Sequence, residues 1–370
     1  MSTSFTRRDA LKWMSSSLLL AAWPQASNAQ SADGRRFDPV PGAWRTFEIE
    51  TEVTLRKPLG TAATLWIPTP VVNTDWQRSL NSVWIGSARN MRLAMAGGAQ
   101  CFVAELDADQ TDPTVRLTSR VQTRNRALDW AATALPVDES ALREWLAPTA
   151  FKPTDGIVLK IAQQIVEGAR TDKEKARRIY DWIIVNTYRE PKVRGCGLGD
   201  IKFMLESGDL GGKCADLNGL LVGLCRAAGV PARDNFGLRV APSAFGYREL
   251  GGNPAKLEGA QHCRAEVYLR GHGWVAADPA DVAKVMRQET TEWIKDADHP
   301  IVAPVRKALF GGWEGNWIAY NAASDVPLPG SSGKPLPFLM YPQAESGGRR
   351  HDPLDAENFV YKIHAREITA

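Results

Sequence analysis

From Phe37 to about Ala127 apolar and polar residues alternate in short runs. "FEIETEVTL" (47–55) and "TVRLTSRVQTR" (114–124) change character almost residue by residue, and "ATLWIP" (63–68) ends on a proline. A period of two sends successive side chains to opposite faces, so these runs predict half-buried strands. Asn, Asp, Gly and Pro punctuate them, which predicts a β-sandwich of short strands over 37–127. Residues 128–150, with Pro136 and Pro148, read as a connector. The period then lengthens. "DGIVLKIAQQIVEGA" (155–169) has apolar residues at 157, 158, 161, 165 and 166, and "TDKEKARRIYDWIIVNTY" (171–188) offers Ile179, Trp182, Ile183 and Val185 as an apolar face. Both predict helices.

A third helix starts near Cys214, with Leu217, Leu220, Leu221 and Leu224 at helical spacing and Gly229 and Pro231 as its stop. "ARDNFGLRVA" (232–241) suits a strand. Residues 242–261 lack periodicity and predict a lid or binding loop. "HCRAEVYL" (262–269), the turn "RGHG" and "WVAAD" (274–278) predict a hairpin. Residues 281–310 read as mainly helical. The tail from 311 carries short apolar runs such as "WIAYN" and "FVYKIHAREI", read as a small β-rich appendage within a C-terminal extension, 289–370.

Composition changes this picture little. The 370 residues are 44% hydrophobic and 24% charged, ordinary for globular chains and enough for two or three domains. The first 29 residues are different. "TRRDALK", the short apolar "MSSSLLLAAW" and "SNAQ", with small residues at Ser27 and Ala29, resemble a twin-arginine signal peptide cut after Ala29. The apolar part is shorter than the roughly 18–20 residues that span a bilayer, so export to a periplasm is expected, not integration into the membrane. Removing Arg7, Arg8, Lys12 and Asp9 with it lowers the formal charge from +3 to +1, which gives no reason to expect nucleic acid or an anionic membrane as partner. The cysteines are Cys101, Cys196, Cys214, Cys225 and Cys263. They form no C-x-x-C, which leaves a zinc site or redox pair unsupported, and their odd number implies at least one free thiol.

Two stretches carry candidate chemistry. In "GGKC" (211–214) a cysteine stands at a helix start, where the N–H groups of the first turn favour the thiolate and the Cys214 N–H is a natural oxyanion donor. Gly211 and Gly212, lacking Cβ, would let a substrate approach the sulfur. A structural cysteine is the plain alternative. His262 opens the strand of the hairpin whose return arm ends at Asp278, and a carboxylate there would orient the imidazole. Asp281 competes for that role: a hairpin centred on Gly271-His272 favours it, a bulged turn favours Asp278, and spacing alone does not choose. Tyr188 is a weak candidate for a second oxyanion donor. Asp216 and Glu266 read as structural. Cys225 and Cys263 read as core residues, Cys263 with a disulfide as its alternative. His272 reads as a solvated turn residue, and His299, His351 and His364 lie apart from these stretches.

The order "GGKCADLNGLLVGLCRAAGVPAR" followed by "QHCRAEVYLRGHGWVAADPAD" resembles the transglutaminase-like superfamily of papain-type thiol enzymes over about 155–285. There Cys begins the long helix, His begins a strand written H-x-W-x-E-V, and Asp follows G-W-V-x-x-D-P. The resemblance therefore implies Cys214, His262 and Asp278 as catalytic residues and decides against Asp281. Arg264 departs from the pattern, standing where Trp is usual, which leaves open the wall of the acyl-donor cleft. An α+β fold is implied, with a papain/transglutaminase-like core over 151–288. The implied activity is attack on an amide or peptide carbonyl through a Cys thioester, on a protein or peptide substrate of the cell envelope, without metal or organic cofactor. Hydrolysis is favoured slightly over amine transfer, since no EF-hand-like calcium loop points to regulated cross-linking. The rival expectation is a non-catalytic binding or assembly protein that keeps the core as scaffold.

Overall fold

The alternation near the N-terminus becomes the strand Arg45–Leu55, in which Phe47, Ile49, Thr51, Val53 and Leu55 are buried and the residues between them are not. The computed structural model describes residues 35–58, 60–133 and 137–368, so the expected leader 1–29 lies outside the described residues. Arg45–Leu55 pairs antiparallel with Thr114–Thr123, which in turn pairs with Gln77–Gly86. Its other edge is taken by Phe359–Ile368, from the far end of the chain. A second sheet orders Arg349–Arg350, Gln343–Ser346, Ala63–Thr69, Ala99–Leu106 and Asn90–Ala96. Val53, Leu55, Leu65, Ile67, Phe102, Val115, Leu117 and Phe359, drawn from both sheets, share one apolar core.

The tail is therefore no separate appendage. Segments expected in a C-terminal extension supply strands to both N-terminal sheets, because each sheet edge otherwise leaves a row of unpaired backbone groups. Trp317–Asn321 does the same for a third sheet, ordered Gly273–Ala277, Gln261–Leu269, Ala232–Arg239 and Trp317–Asn321.

Six helices complete the α+β fold among the described residues: α1 (Gly156–Val166), α2 (Asp172–Asn186), α3 (Ile201–Ser207), α4 (Cys214–Ala227), α5 (Pro279–Gln288) and α6 (Ala303–Ala308). Residues 289–302, expected to be mostly helical, are irregular between α5 and α6. On α2 the buried face is Ala176, Ile179, Tyr180, Ile183 and Ile184, whereas Val185 is 69% exposed. Val185 lies nine residues from Ala176, and at about 100° per residue that places it on the opposite side. α4 is buried along its whole length from Cys214 to Arg226, because α1 and α2 cover one flank and the third sheet covers the other. No helix among the described residues is long and apolar enough to cross a membrane.

Candidate active site

Cys214 is the first residue of α4 and is buried at 3% exposure. The turn before it is built by Asp216, whose Oδ2 accepts from the Lys213 N–H at 2.9 Å. Its Oδ1 accepts from the Leu198 and Gly199 N–H groups at 3.0 and 2.9 Å, which ties the 195–199 loop across the helix start. Asp216 is thus structural. The two glycines before Cys214 have a different purpose from the clearance expected of them. A Cβ on Gly211 would lie 2.5 Å from the Tyr188 ring, and one on Gly212 would lie 2.6 Å from the Asp216 side chain. They let the short parallel pair Tyr188–Arg189 and Gly211–Gly212 close behind Cys214. The Tyr188 hydroxyl donates a hydrogen bond to Asp209 at 2.9 Å and is absent from the walls of the Cys214 cleft, so it supplies no oxyanion donor.

The hairpin brings His262 within reach of both aspartates. Its ladder runs from Leu269↔Gly273 to Ala265↔Ala277, and extending that register sets His262 opposite residue 280, between Asp278 and Asp281. The return strand ends there. Asp278 caps α5, its Oδ1 accepting the Asp281 N–H at 3.0 Å, and the first helical turn folds Asp281 back toward the imidazole. His262 Nε2 lies 2.8 Å from Asp278 Oδ2 and 3.3 Å from Asp281 Oδ1. Asp278 holds the hydrogen bond, while Asp281 is drawn aside by Arg239 Nη2 at 2.5 Å. Nε2 is thus engaged, and the His262 imidazole lines the same cleft as Cys214, whose thiol it helps to hold down.

Asn218, unremarked in the sequence, fastens these elements together. One helical turn beyond Cys214, it donates from Nδ2 to Asp278 Oδ1 at 2.9 Å and to the Cys263 carbonyl at 2.8 Å. Its Oδ1 accepts the Ala280 N–H at 3.2 Å. The available signal was a single amide inside the leucine-rich run "CADLNGLLVGLC", since a fully buried polar group needs partners.

The electrostatics favour a charged pair. Burial works against a thiolate at Cys214, but hydrogen bonds from Cys196, Cys263 and His262 hold the thiol well below its ordinary value. Burial and Arg239 work against an imidazolium at His262, yet Asp281 and Asp278 together push it up to about 9. Asp278 is raised by burial and by its neighbour Asp281. Asp281 stays well below the usual carboxylate range despite burial, because Arg239 and His262 face it.

The Cys196, Cys214 and Cys263 sulfurs lie within 4.8 Å of one another, all as free thiols. Cys263 thus packs against Cys214 without a disulfide, and Cys225 is a core thiol as expected. Arg264 does not form a cleft wall: at 1% exposure it lies behind His262 and Asp278, against the Trp313 and Trp317 rings and 3.6 Å from Asp278. The Trp expected on the strand is replaced by an arginine held among tryptophans from a later segment. Glu266 is structural, paired with Arg126 at 2.5 Å and Arg233 at 2.8 Å. His272, His299, His351 and His364 all lie outside the cleft walls.

Cys214 and His262 open on a cleft of about 540 Å³. The 242–261 loop forms one wall, and Tyr341 from the C-terminal segment reaches in beside Cys196. A larger cavity of about 660 Å³ shares none of the three predicted site residues.

A sequence profile described as the Transglutaminase-like superfamily matches residues 159–279, a span holding Cys214, His262 and Asp278. An uncharacterised protein of Haemophilus influenzae is 34% identical over 323 residues, covering 82% of this chain and 86% of its own length. Among solved structures, a protein of Cytophaga hutchinsonii described as a candidate cysteine protease superposes with a TM-score of 0.54 at 16% identity, over 90% of this chain and 93% of its own. The periplasmic domain of TgpA from Pseudomonas aeruginosa matches at 15% identity over 71% of this chain and 92% of its own, with a TM-score of 0.35. The matched segment and the hairpin that carries its histidine and aspartate agree, and the chain belongs to the transglutaminase-like superfamily.

Proposed function

We propose that this chain is an exported thiol enzyme that cleaves amide or peptide bonds through a Cys214 thioester. The observation that carries this reading is that Cys214 and His262 meet in one cleft with Asp278 bonded to the imidazole from behind, the sulfur acidified and the imidazole made more basic. The thiolate adds to the carbonyl carbon. The oxyanion forms beside the Cys214 backbone N–H at the head of α4, which has no partner within the helix, whereas the Ala215 N–H is taken by the Cys196 carbonyl at 2.9 Å. Imidazolium gives its proton to the leaving amine as the C–N bond breaks, and the thioester remains. His262 then takes a proton from water, hydroxide adds, and the C–S bond breaks to release acid and thiolate. Asp278 keeps the ring oriented throughout and stabilises its charged form.

Hydrolysis is the favoured fate over transfer to an amine. The cleft walls near the sulfur are polar, with Lys213, Lys256, Glu258 and Arg189 among them, and such walls admit water to the thioester. The resemblance of the leader to a twin-arginine signal supports a periplasmic enzyme, with peptides of the envelope as its substrates.

Iodoacetamide at mildly acidic pH tests the reading. Cys214 is expected to react far faster than Cys101, Cys196, Cys225 and Cys263, and His262→Ala to abolish that preference. Equal slow labelling of all five thiols overturns it. Mass spectrometry of peptide products with and without a primary amine then separates free acid from amide adduct.

A further inference from the structure

The charge on the walls of the cleft is lopsided. Arg189, Lys213, Arg239, Lys256 and Lys284 line it, against Glu258 as the one acid. Two of the five are neutralised from behind: Arg239 by Asp281 at 2.5 Å and Lys284 by Glu249 at 3.3 Å. Arg189, Lys213 and Lys256 have no carboxylate within salt-bridge distance among the described residues, and the Arg189 Nε donates only to the neutral Gln288 side chain at 3.1 Å. They approach from three separate elements: the short strand after α2, the turn before Cys214, and the 242–261 loop. Lys213 and Arg189 are both half-buried. Burial and the neighbouring Arg189 already disfavour the charged form of Lys213, so the pair repel each other until an anion arrives. Unpaired cations gathered around a nucleophile in a chain of formal charge only +3 are not a consequence of general basicity.

We infer that the cleft is an anion subsite and that the acyl donor is a peptide bearing a free carboxylate close to the scissile amide, held by Arg189, Lys213 and Lys256. This rests on the thiol-acyl reading of Cys214 and specifies its substrate class. A guanidinium and two ammonium groups suit a carboxylate, through the planar fork of arginine and the point charges of lysine. The same field raises the local concentration of anionic substrate and weakens as salt screens it.

Paired alkylation tests the inference without a known substrate. Iodoacetate and iodoacetamide deliver similar carbons, one on an anion and one on a neutral molecule, so the ratio of their rates reads the field and cancels the reactivity of the thiolate itself. At low salt the ratio at Cys214 is expected to exceed that of free cysteine by about tenfold or more, and to fall with added salt. Lys213→Met/Lys256→Met, and separately Arg189→Met, should lower it toward the free-cysteine value. A wild-type ratio equal to that of free cysteine overturns the subsite. So does a raised ratio that both variants leave unchanged, since that assigns the attraction to the His262 imidazolium alone. Failure of both reagents to prefer Cys214 overturns the thiol reading and the subsite with it.

Peptide libraries then locate the carboxylate. Preference for Glu or Asp over Gln or Asn, indifferent to C-terminal amidation, assigns it to a side chain. Loss on amidation alone assigns it to the peptide terminus. Equal KM for acidic and neutral peptides, with Cys214 still preferentially alkylated, overturns the subsite and leaves the thiol chemistry standing.

Discussion

Two strands of this protein have similar sequence patterns and opposite fates. Arg45–Leu55 and Gln261–Leu269 both interleave apolar residues with Glu, Arg or His. In the first, the polar residues face water: Glu48 meets Arg120 and Arg366, and Arg45 meets Glu367, at a partly exposed surface. In the second, all nine residues are buried, including His262, Arg264 and Glu266. The difference lies in what covers the second face. The polar face of the N-terminal strand stays partly open to water, whereas α5, Trp313, Trp317 and Arg126 close over the hairpin. Exposed pairs contribute little, a median of about 0–1 kcal/mol, because water competes and salt screens. Buried charges must be fully partnered or they are costly, and that requirement fixes the positions of the groups that could do chemistry.

The largest effects expected from this contrast are catalytic. Cys214→Ala should abolish turnover with the fold intact, and Asp278→Asn should lower kcat/KM by about 10⁴ by misorienting the imidazole. Steady-state kinetics on a cleaved peptide, with circular dichroism beside it, checks both. Retained turnover in Cys214→Ala would end the comparison, leaving the buried charges as scaffold.

A large effect on stability is expected at Glu266. Glu266→Gln leaves Arg126 and Arg233 without their buried carboxylate and should cost about 3–5 kcal/mol in denaturant unfolding. Glu48→Gln in the sandwich should cost no more than about 1 kcal/mol. Equal costs would show that burial does not distinguish the two strands.

The pH dependence follows from the same groups. Glu266 is held down at about 2 by Arg233 and Arg126 against the opposing effect of burial. A depressed carboxylate contributes stability above its unfolded value, about 4.3, and that contribution is lost as pH falls toward 2. His262 has the opposite sign. Its folded value of about 9 lies above the unfolded value of about 6.5, so its contribution is complete below 6.5 and lost as pH rises through 9. Turnover should fall in the same alkaline range, where the imidazolium loses the proton it gives to the leaving amine. A rate profile flat to pH 10 would contradict the charged pair.

The smallest effect is expected at Cys196. Its hydrogen bond helps hold the Cys214 thiol down, so Cys196→Ala should move the acidic limb of the iodoacetamide profile upward by about one unit or less, with one unit worth about 1.4 kcal/mol. A shift as large as that of His262→Ala would make the thiol cluster, not the imidazole, the main support of the thiolate.

Local sequence determined the elements of the site. Alternation in 262–269 and the Pro-capped start at Asp278-Pro279 mark the hairpin and the helix after it, and the Gly-Gly approach to Cys214 marks the head of α4. The N-terminal strands were equally legible, because an exposed face keeps the period of two visible. Only the tertiary structure decided the rest. The three-residue turn at 270–272 sets His262 between two aspartates, and which one it bonds depends on Arg239, which comes from another strand. Asn218 and Arg264 sit within an apolar helix and strand, and their partners come from segments up to 62 residues away in sequence. The tail looked independent because a strand edge leaves no mark on the partner that will complete it. Periodicity records which side of an element meets apolar surroundings, whereas the choice among buried polar partners belongs to long-range geometry.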